Sequence, residues 1–250
     1  MSPFQVASQA VVDGNAEALR SLLGEHPGLV SDRSPKHGAT LLHYVGANGP
    51  VEEEMQKTPQ NAVEIAKLLI ENGAHVDATI GDESATTPLV ALVTSEFPAI
   101  AGLQGELVEL FLESGAAVNG LKDDGYPLAC ALCFQYPDAI NALVNGGARI
   151  DNIVSAASFG RMDFIRQCFD AHGKLRAEAV SAYPEPFMQV LEPAEILQTA
   201  IEHASHFKQQ EVVEFLSQKN SWHSLYYSYM ASRSKGAYQC CFESTLPSIK

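Results

Sequence analysis

Basic residues, cysteine, tryptophan and long apolar runs are all scarce in this chain of 250 residues. Sixteen Lys and Arg stand against thirty Asp and Glu, which leaves a formal charge of −14. Nucleic acid is therefore not an expected partner, because holding phosphates requires clustered cations that displace counterions. No window of about 20 residues is apolar enough to span a bilayer, so no membrane association is expected. The N-terminal stretch MSPFQVASQAVVDGNAEALRSLLG lacks a basic start and an unbroken apolar core, so it does not read as a secretory signal. The five cysteines (Cys130, Cys133, Cys168, Cys240, Cys241) are too few and too irregular for a disulfide framework, which points to a reducing, cytoplasmic home. Cys130 and Cys133 form a C-x-x-C, but it lacks both the second pair of ligands that zinc needs and the preceding strand of a thioredoxin-like site. They read as small buried apolar residues. No phosphate loop, dinucleotide fingerprint, Ser-His-Asp constellation or metal-ligand spacing occurs, so no cofactor and no metal are expected.

A repeated pattern fills the chain instead. Residues 61–78 (NAVEIAKLLIENGAHVDA), 103–120 (LQGELVELFLESGAAVNG) and 136–151 (YPDAINALVNGGARID) each carry apolar residues at helical spacing. Each then runs Gly-Ala, a variable residue, an aliphatic, and Asp or Asn. Gly73, Gly115 and Gly147 stand just past the last helical turn, where a left-handed backbone is needed. Upstream of each lies a shorter apolar segment: GATLLHYVGANG (38–49), TTPLVALVTS (86–95) and DGYPLACALCF (124–134). The glycines are 42 and 32 residues apart, so a unit of about 33 residues carries an insertion in its first interval.

Period and motif together resemble the ankyrin-repeat family. Thr40 with His43 matches the family's T-P-L-H position, where hydroxyl and imidazole tie neighbouring repeats together. Thr87 matches in part, with Val90 replacing the histidine, and Tyr126 and Ala129 replace both in the next unit. The resemblance implies an all-α solenoid of about six helix pairs over residues 3–220, irregular at both ends and clearest over 38–151. Residues 4–23 read as a first pair hinged at Gly14, 153–169 as a fifth hinged at Gly160, and 196–220 as a last pair. Stacking through Leu68, Leu69, Leu110, Phe111, Ile140 and Leu143 builds one continuous core.

Departures from the pattern carry the functional expectations. Insertions at 49–60 and 95–103 are expected to project from the stack, with Glu52, Glu53 and Glu54 solvated. The connection from Gly147 to a helix near Ile153 is too short for a full hairpin finger. A loop at 171–195 holds Tyr183, Phe187, Met188, Val190 and Leu191. The non-repeat tail 221–250 contains Trp222, Leu225, Tyr226 and Tyr229, which suit a capping helix.

In the family's register the concave surface takes the residues one, four and five places after the T-P-L-H histidine. These are Tyr44, Ala47 and Asn48, then Ala91, Thr94 and Ser95, then Cys130, Cys133 and Phe134, then Ser155, Ser158 and Phe159. Gln9, Val12 and Asp13 contribute from the first pair, and Thr199, Glu202 and His203 from the last. Gln9, Tyr44, Asn48, Thr94, Cys130, Phe134, Ser155 and Phe159 are the candidate binding residues. The resemblance implies a binding module whose apolar groove takes a protein or peptide of basic or apolar character. The alternative is an ankyrin-fold enzyme performing a cyclisation, isomerisation or dehydration on a small hydrophobic molecule. Its acid–base candidates are Tyr44, His203, Glu202, His37 and Asp82.

Overall fold

A computed structural model describes residues 2–49, 51–81, 86–181 and 192–219. It is all-α: no strand occurs among the described residues, and one isolated bridge joins Phe169 to Leu175. The helices are α1 (Pro3–Val12), α2 (Ala16–Glu25), α3 (Leu41–Gly46), α4 (Ala62–Glu71), α5 (Pro88–Val93), α6 (Glu96–Ile100), α7 (Gln104–Glu113), α8 (Tyr126–Phe134), α9 (Pro137–Asn145), α10 (Ile153–Ser158), α11 (Met162–Gln167), α12 (Ala177–Ser181), α13 (Pro193–His206) and α14 (210–219).

Contacts sort most of them into two rows. An inner row runs α1, α3, α5, α8, α10, α13, each touching the next. An outer row runs α2, α4, α7, α9, and each outer helix also packs on its inner partner. The fifth and sixth pairs are α10 with α11 and α13 with α14. Arg166 on α11 reaches Glu211 on α14 at 3.3 Å.

The turns repeat with the rows. Gly73, Gly115 and Gly147 hold φ of +94°, +93° and +96°. The N–H groups of Ala74, Ala116 and Ala148 then donate back to the carbonyls of Leu69, Phe111 and Leu143 at 3.0, 2.9 and 2.9 Å. Nothing lies within 4 Å of a side chain added at any of the three, so backbone conformation alone demands glycine there. A second set of left-handed residues joins inner to outer helix: Gly14, Gln135, Gly160 and Lys208. The following N–H donates to Ala10, Ala131, Ala156 and Ala204 respectively.

Beyond the outer helices, the connecting loops are laced together. The Asp77 carboxylate accepts the Ala117 N–H at 3.1 Å, and Asn119 Oδ1 accepts the Arg149 N–H at 3.0 Å. Asp151 holds the same place in the next loop. No finger follows it, and its carboxylate takes Arg149 Nε at 2.7 Å instead.

Buried side chains form two clusters rather than one. The larger spans the first four pairs and includes Leu19, Leu41, Ile65, Leu69, Leu92, Leu107, Phe111 and Leu143. The smaller joins Ala129 to Ile153, Ile165, Ile196, Ala200 and Leu216 of the last two pairs. Leu110, expected in the core, is only half-buried.

The first insertion differs from expectation. Val51 and Met55 are buried in the larger cluster, so this segment folds down onto the stack instead of projecting from it. Glu53 and Glu54 are exposed, whereas Glu52 is half-buried. The second insertion forms α6, which packs on α7 through buried Pro98 and leaves Ile100 77% exposed. Of the loop at 171–195, residues 171–181 make a tight turn around Asp170 followed by α12. Tyr183, Phe187, Met188, Val190 and Leu191 lie outside the described residues, as do Asp82 and the tail 221–250 with Trp222, Leu225, Tyr226 and Tyr229.

The inner row approaches closely at Gly46. A Cβ there would stand 2.9 Å from the Leu92 nitrogen and 3.0 Å from the Ala91 carbonyl carbon. Gly24, on α2, has open space around it. Gly46→Ala is therefore expected to destabilise the protein by about 1–3 kcal/mol through overpacking. Gly24→Ala should stabilise it by roughly 0.5 kcal/mol by lowering unfolded-chain entropy. Urea denaturation of both variants checks this, and equal effects would remove the close-approach argument.

Candidate functional site

The candidate residues lie along the inner row, and their depth decides what each can do. Tyr44, Cys130 and Ser155 are 2%, 0% and 2% exposed. They therefore face the packed interior of the row and not a groove surface; for Cys130 this is the burial expected of a small apolar residue, whereas Cys133 is only half-buried. Ala47, Ala91, Ser95 and Ser158 are buried as well. Gln9, Asn48, Thr94, Cys133, Phe134, Phe159, Thr199 and His203 are half-buried and Asp13 and Glu202 are exposed, and these are the inner-row candidates that reach solvent.

Tyr44 is fixed on two sides. Its ring meets the edge of Phe4, with centroids 6.0 Å apart and planes at 68°. Its hydroxyl donates to Glu52 Oε2 at 2.8 Å, so the inserted segment is tied to the inner row at this point. Burial, then the Glu52 carboxylate, push the phenol well above its ordinary range, and Tyr44 holds its proton.

One pair further along, Asn48 spans the joint between α3 and α5. Its Nδ2 donates to Thr94 Oγ1 and to the Ala91 carbonyl, while its Oδ1 accepts the Gly49 N–H at 2.7 Å. Thr94 Oγ1 donates in turn to the Val90 carbonyl at 2.8 Å, and Ser95 Oγ to the Ala47 carbonyl at 3.0 Å. Buried Gln104 closes the end of α5 by donating to the Leu92 and Ser95 carbonyls. Gln104 had no role in the sequence reading, since a glutamine opening an amphipathic helix gives no sign that it points inward.

Burial raises the thiol of Cys130 to about 12, which makes it an inert packing group. Phe134 stacks on Tyr136, with centroids 6.0 Å apart and an interplanar angle of 6°. Phe159 packs against the larger core cluster, as does Phe207 at the end of α13. Tyr44, Phe134 and Phe159 thus each lean on a different neighbour. Phe207 occupies the corresponding place to Phe134 and Phe159, one residue before the left-handed turn. It went unseen because Lys208 hides a turn that sequence alone would seek at glycine.

The acid–base candidates are spread out. Ser155 serves a helix cap, accepting the Asn152 N–H at 3.4 Å while Asn152 Oδ1 accepts the Ser155 N–H at 2.9 Å. Ser158 donates to the Val154 carbonyl at 2.9 Å, and its oxygen lies 3.4 Å from His203 Nδ1. Its proton is already committed, so the Ser158–His203 contact is not a nucleophile with its base. Burial, then the neighbouring His206, lower His203 to about 4. Glu202 is exposed and accepts from Gln198 at 2.9 Å. His37 is half-buried and gives its backbone N–H to Ser34 Oγ. Among the described residues no hydrogen bond joins any two of Tyr44, His37, Glu202 and His203.

No protein-family model matches this chain, and no curated protein does either.

The roles of these side chains follow from geometry alone. No group of three or more His, Cys, Asp or Glu among the described residues is placed to hold a metal ion. No helix among them is long and apolar enough to cross a membrane. What the row offers is a line of amide, hydroxyl and aromatic groups on short, mutually braced helices.

The Tyr44–Glu52 contact is testable on its own. Tyr44→Phe and Glu52→Ala should each destabilise the protein, and a double-mutant cycle should give a coupling of about 1 kcal/mol. A coupling near zero would mean that the inserted segment is not anchored through this hydrogen bond.

Proposed function

We propose that this chain is an ankyrin-type solenoid of six helix pairs over residues 3–220, serving as an interaction module. Its partner is a protein or peptide of basic or apolar character that lies along the inner row. Several independent features support the ankyrin reading. They are the Thr40–His43 pair, the three equivalent glycine caps, and the loop ladder through Asp77 and Asn119.

One observation carries the functional reading. Asn48, Thr94, Phe134 and Phe159 recur near the ends of successive inner helices, half-exposed, on a scaffold whose helices brace one another. Such a row gives an extended ligand regularly spaced hydrogen-bond and apolar contacts, with no conformational change needed to form it. The charge of −14 favours a basic partner at long range. Among the described residues no disulfide joins Cys130, Cys133 and Cys168, which fits a reducing, cytoplasmic setting. The enzyme reading is not carried further, because its candidate acids and bases are scattered and the phenol of Tyr44 is held protonated.

The test is selection of displayed random peptides on the immobilised full chain. Enriched sequences should be rich in Lys, Arg and apolar residues. They should bind at least ten-fold more weakly, about 1.4 kcal/mol, to a Phe134→Ala/Phe159→Ala variant that keeps its helical circular dichroism. Selected peptides that bind this variant as well as the parent would overturn the reading.

A further inference from the structure

The joint between α3 and α5 is closed by a histidine that must be neutral for the joint to stay closed. His43 is 0% exposed. Its Nδ1 accepts the Thr40 backbone N–H at 3.2 Å and lies 2.9 Å from Thr40 Oγ1. These partners place the ring proton on Nε2, which points at the Thr86 carbonyl 3.4 Å away on the approach to α5. One neutral imidazole therefore links two helix pairs, as acceptor on one side and donor on the other.

A second proton undoes this arrangement. It would occupy Nδ1 and leave the buried Thr40 N–H without its acceptor. It would also put a positive charge in the interior, where no described acidic side chain is hydrogen-bonded to it. Helices α1 and α5, which pack on α3, carry no ionisable side chain. On α4, Lys67 and Glu71 are exposed and Glu64 faces Arg20 at 4.0 Å. Tyr44 is occupied with Glu52. Burial, reinforced by repulsion from Arg33, holds His43 at about 4, against the pull of the Thr86 carbonyl. Asp82 and Glu83 lie outside the described residues.

Among the described inner helices His43 is the one histidine in such a cap; α13 is capped by Glu192 and Glu195, which are exposed and half-buried. Where α3 has Thr40 and His43, α5 has Thr87 capping Val90, and α10 has Asn152 with Ser155. Neither of those caps titrates. The same α3–α5 joint also holds the Asn48–Thr94 and Ser95–Ala47 hydrogen bonds.

We propose that the α3–α5 joint is an acid-operated release, in which protonation of His43 parts the two helices and dismantles the Asn48–Thr94 portion of the partner-binding row. This rests on the reading of that row as a binding face. In sign, the closed joint binds fewer protons than the open one between pH 4 and 6.5. Closure is therefore complete above about 6.5 and is lost progressively as pH falls toward 4.

Amide hydrogen exchange of the full chain, corrected for intrinsic rates, tests the joint without any ligand. Between about pH 7.5 and about pH 5 the opening constant of α3 and α5 amides should rise about thirty-fold. His43→Gln keeps an acceptor and a donor but cannot titrate, and it should abolish that rise. Amides of α10 and α13, beside His203, should keep their own acid response in both proteins, which reports that the variant is folded. An equal rise in parent and variant, or no rise in the parent, overturns the proposal. Should His43→Gln fail to fold, the His43 ring resonances of the parent decide: titration near 6.5 with protection intact overturns it, and titration coupled to loss of protection supports it. The peptides selected at neutral pH then separate the two readings. Exchange that responds while no peptide is ever selected sinks the binding face and leaves the acid-labile joint. Peptide affinity that is unchanged in acid while the joint opens sinks the release.

Discussion

Each internal helix pair among the described residues packs on a neighbouring pair on either side, and that is the constraint from which the rest follows. A pair of short helices cannot bury both sides by itself, so an internal pair is stable only between two others. The inner helices satisfy this by approaching closely, as Gly46 against Ala91 and Leu92 shows. Close approach requires that every pair meet the next at nearly the same angle. The repeated turns meet that need. Three glycine caps with φ within a few degrees of one another end the outer helices α4, α7 and α9 in one geometry. Four left-handed residues send four of the inner helices into their partners in another. The Asp77 and Asn119 side chains then fix the spacing of the connecting loops. Packing, turn geometry and loop hydrogen bonds thus state one requirement three times.

The first insertion shows how a departure from the repeat is absorbed. A segment added between α3 and α4 would expose the flank of the inner row unless it brought apolar groups of its own. Val51 and Met55 supply them, and Glu52 trades solvent for the Tyr44 hydroxyl. Lys57 meets Asp13 at the far end, so the segment is anchored to the first pair as well as the second. Such an anchored insertion is part of the scaffold, which is why Tyr44 lies beneath it and not on the groove surface.

Legibility in the sequence followed from how strictly physics ties a residue type to a place. The caps at Gly73, Gly115 and Gly147 were legible because a left-handed helix end nearly requires glycine. Thr40 and His43 were legible through their resemblance to the T-P-L-H position of ankyrin repeats. Gln135 and Lys208 were not: they adopt the left-handed conformation without being glycine, at a cost that the surrounding packing covers. The depth of Tyr44 and Ser155 was also beyond reach. On a helix packed against neighbours on two sides, one place in register separates core from groove, and periodicity alone does not resolve one place. Five of the eight candidate binding residues, Gln9, Asn48, Thr94, Phe134 and Phe159, are half-buried because they lie toward helix ends, where burial falls away.

The distribution of charge bears on what such a row can recognise. Acidic residues concentrate on the outer helices: Glu106, Glu109 and Glu113 are all exposed on α7, and Glu17, Glu25 and Glu71 face solvent on α2 and α4. The inner row is nearly free of charge from Asn48 to Phe159, and Asp13 at its start is taken by Lys57. If the row is the binding face proposed above, long-range attraction and short-range selection fall to different surfaces. An acidic exterior raises the local concentration of basic partners without regard to their shape. Discrimination falls to amides, hydroxyls and aromatic faces that have no charge to neutralise, so a ligand gains there by geometry alone. A mobile salt atmosphere weakens the first effect and leaves the second intact. Binding at this row should therefore keep its sequence preference as ionic strength rises, even as association slows. A ligand held mainly by charge would lose preference and rate together.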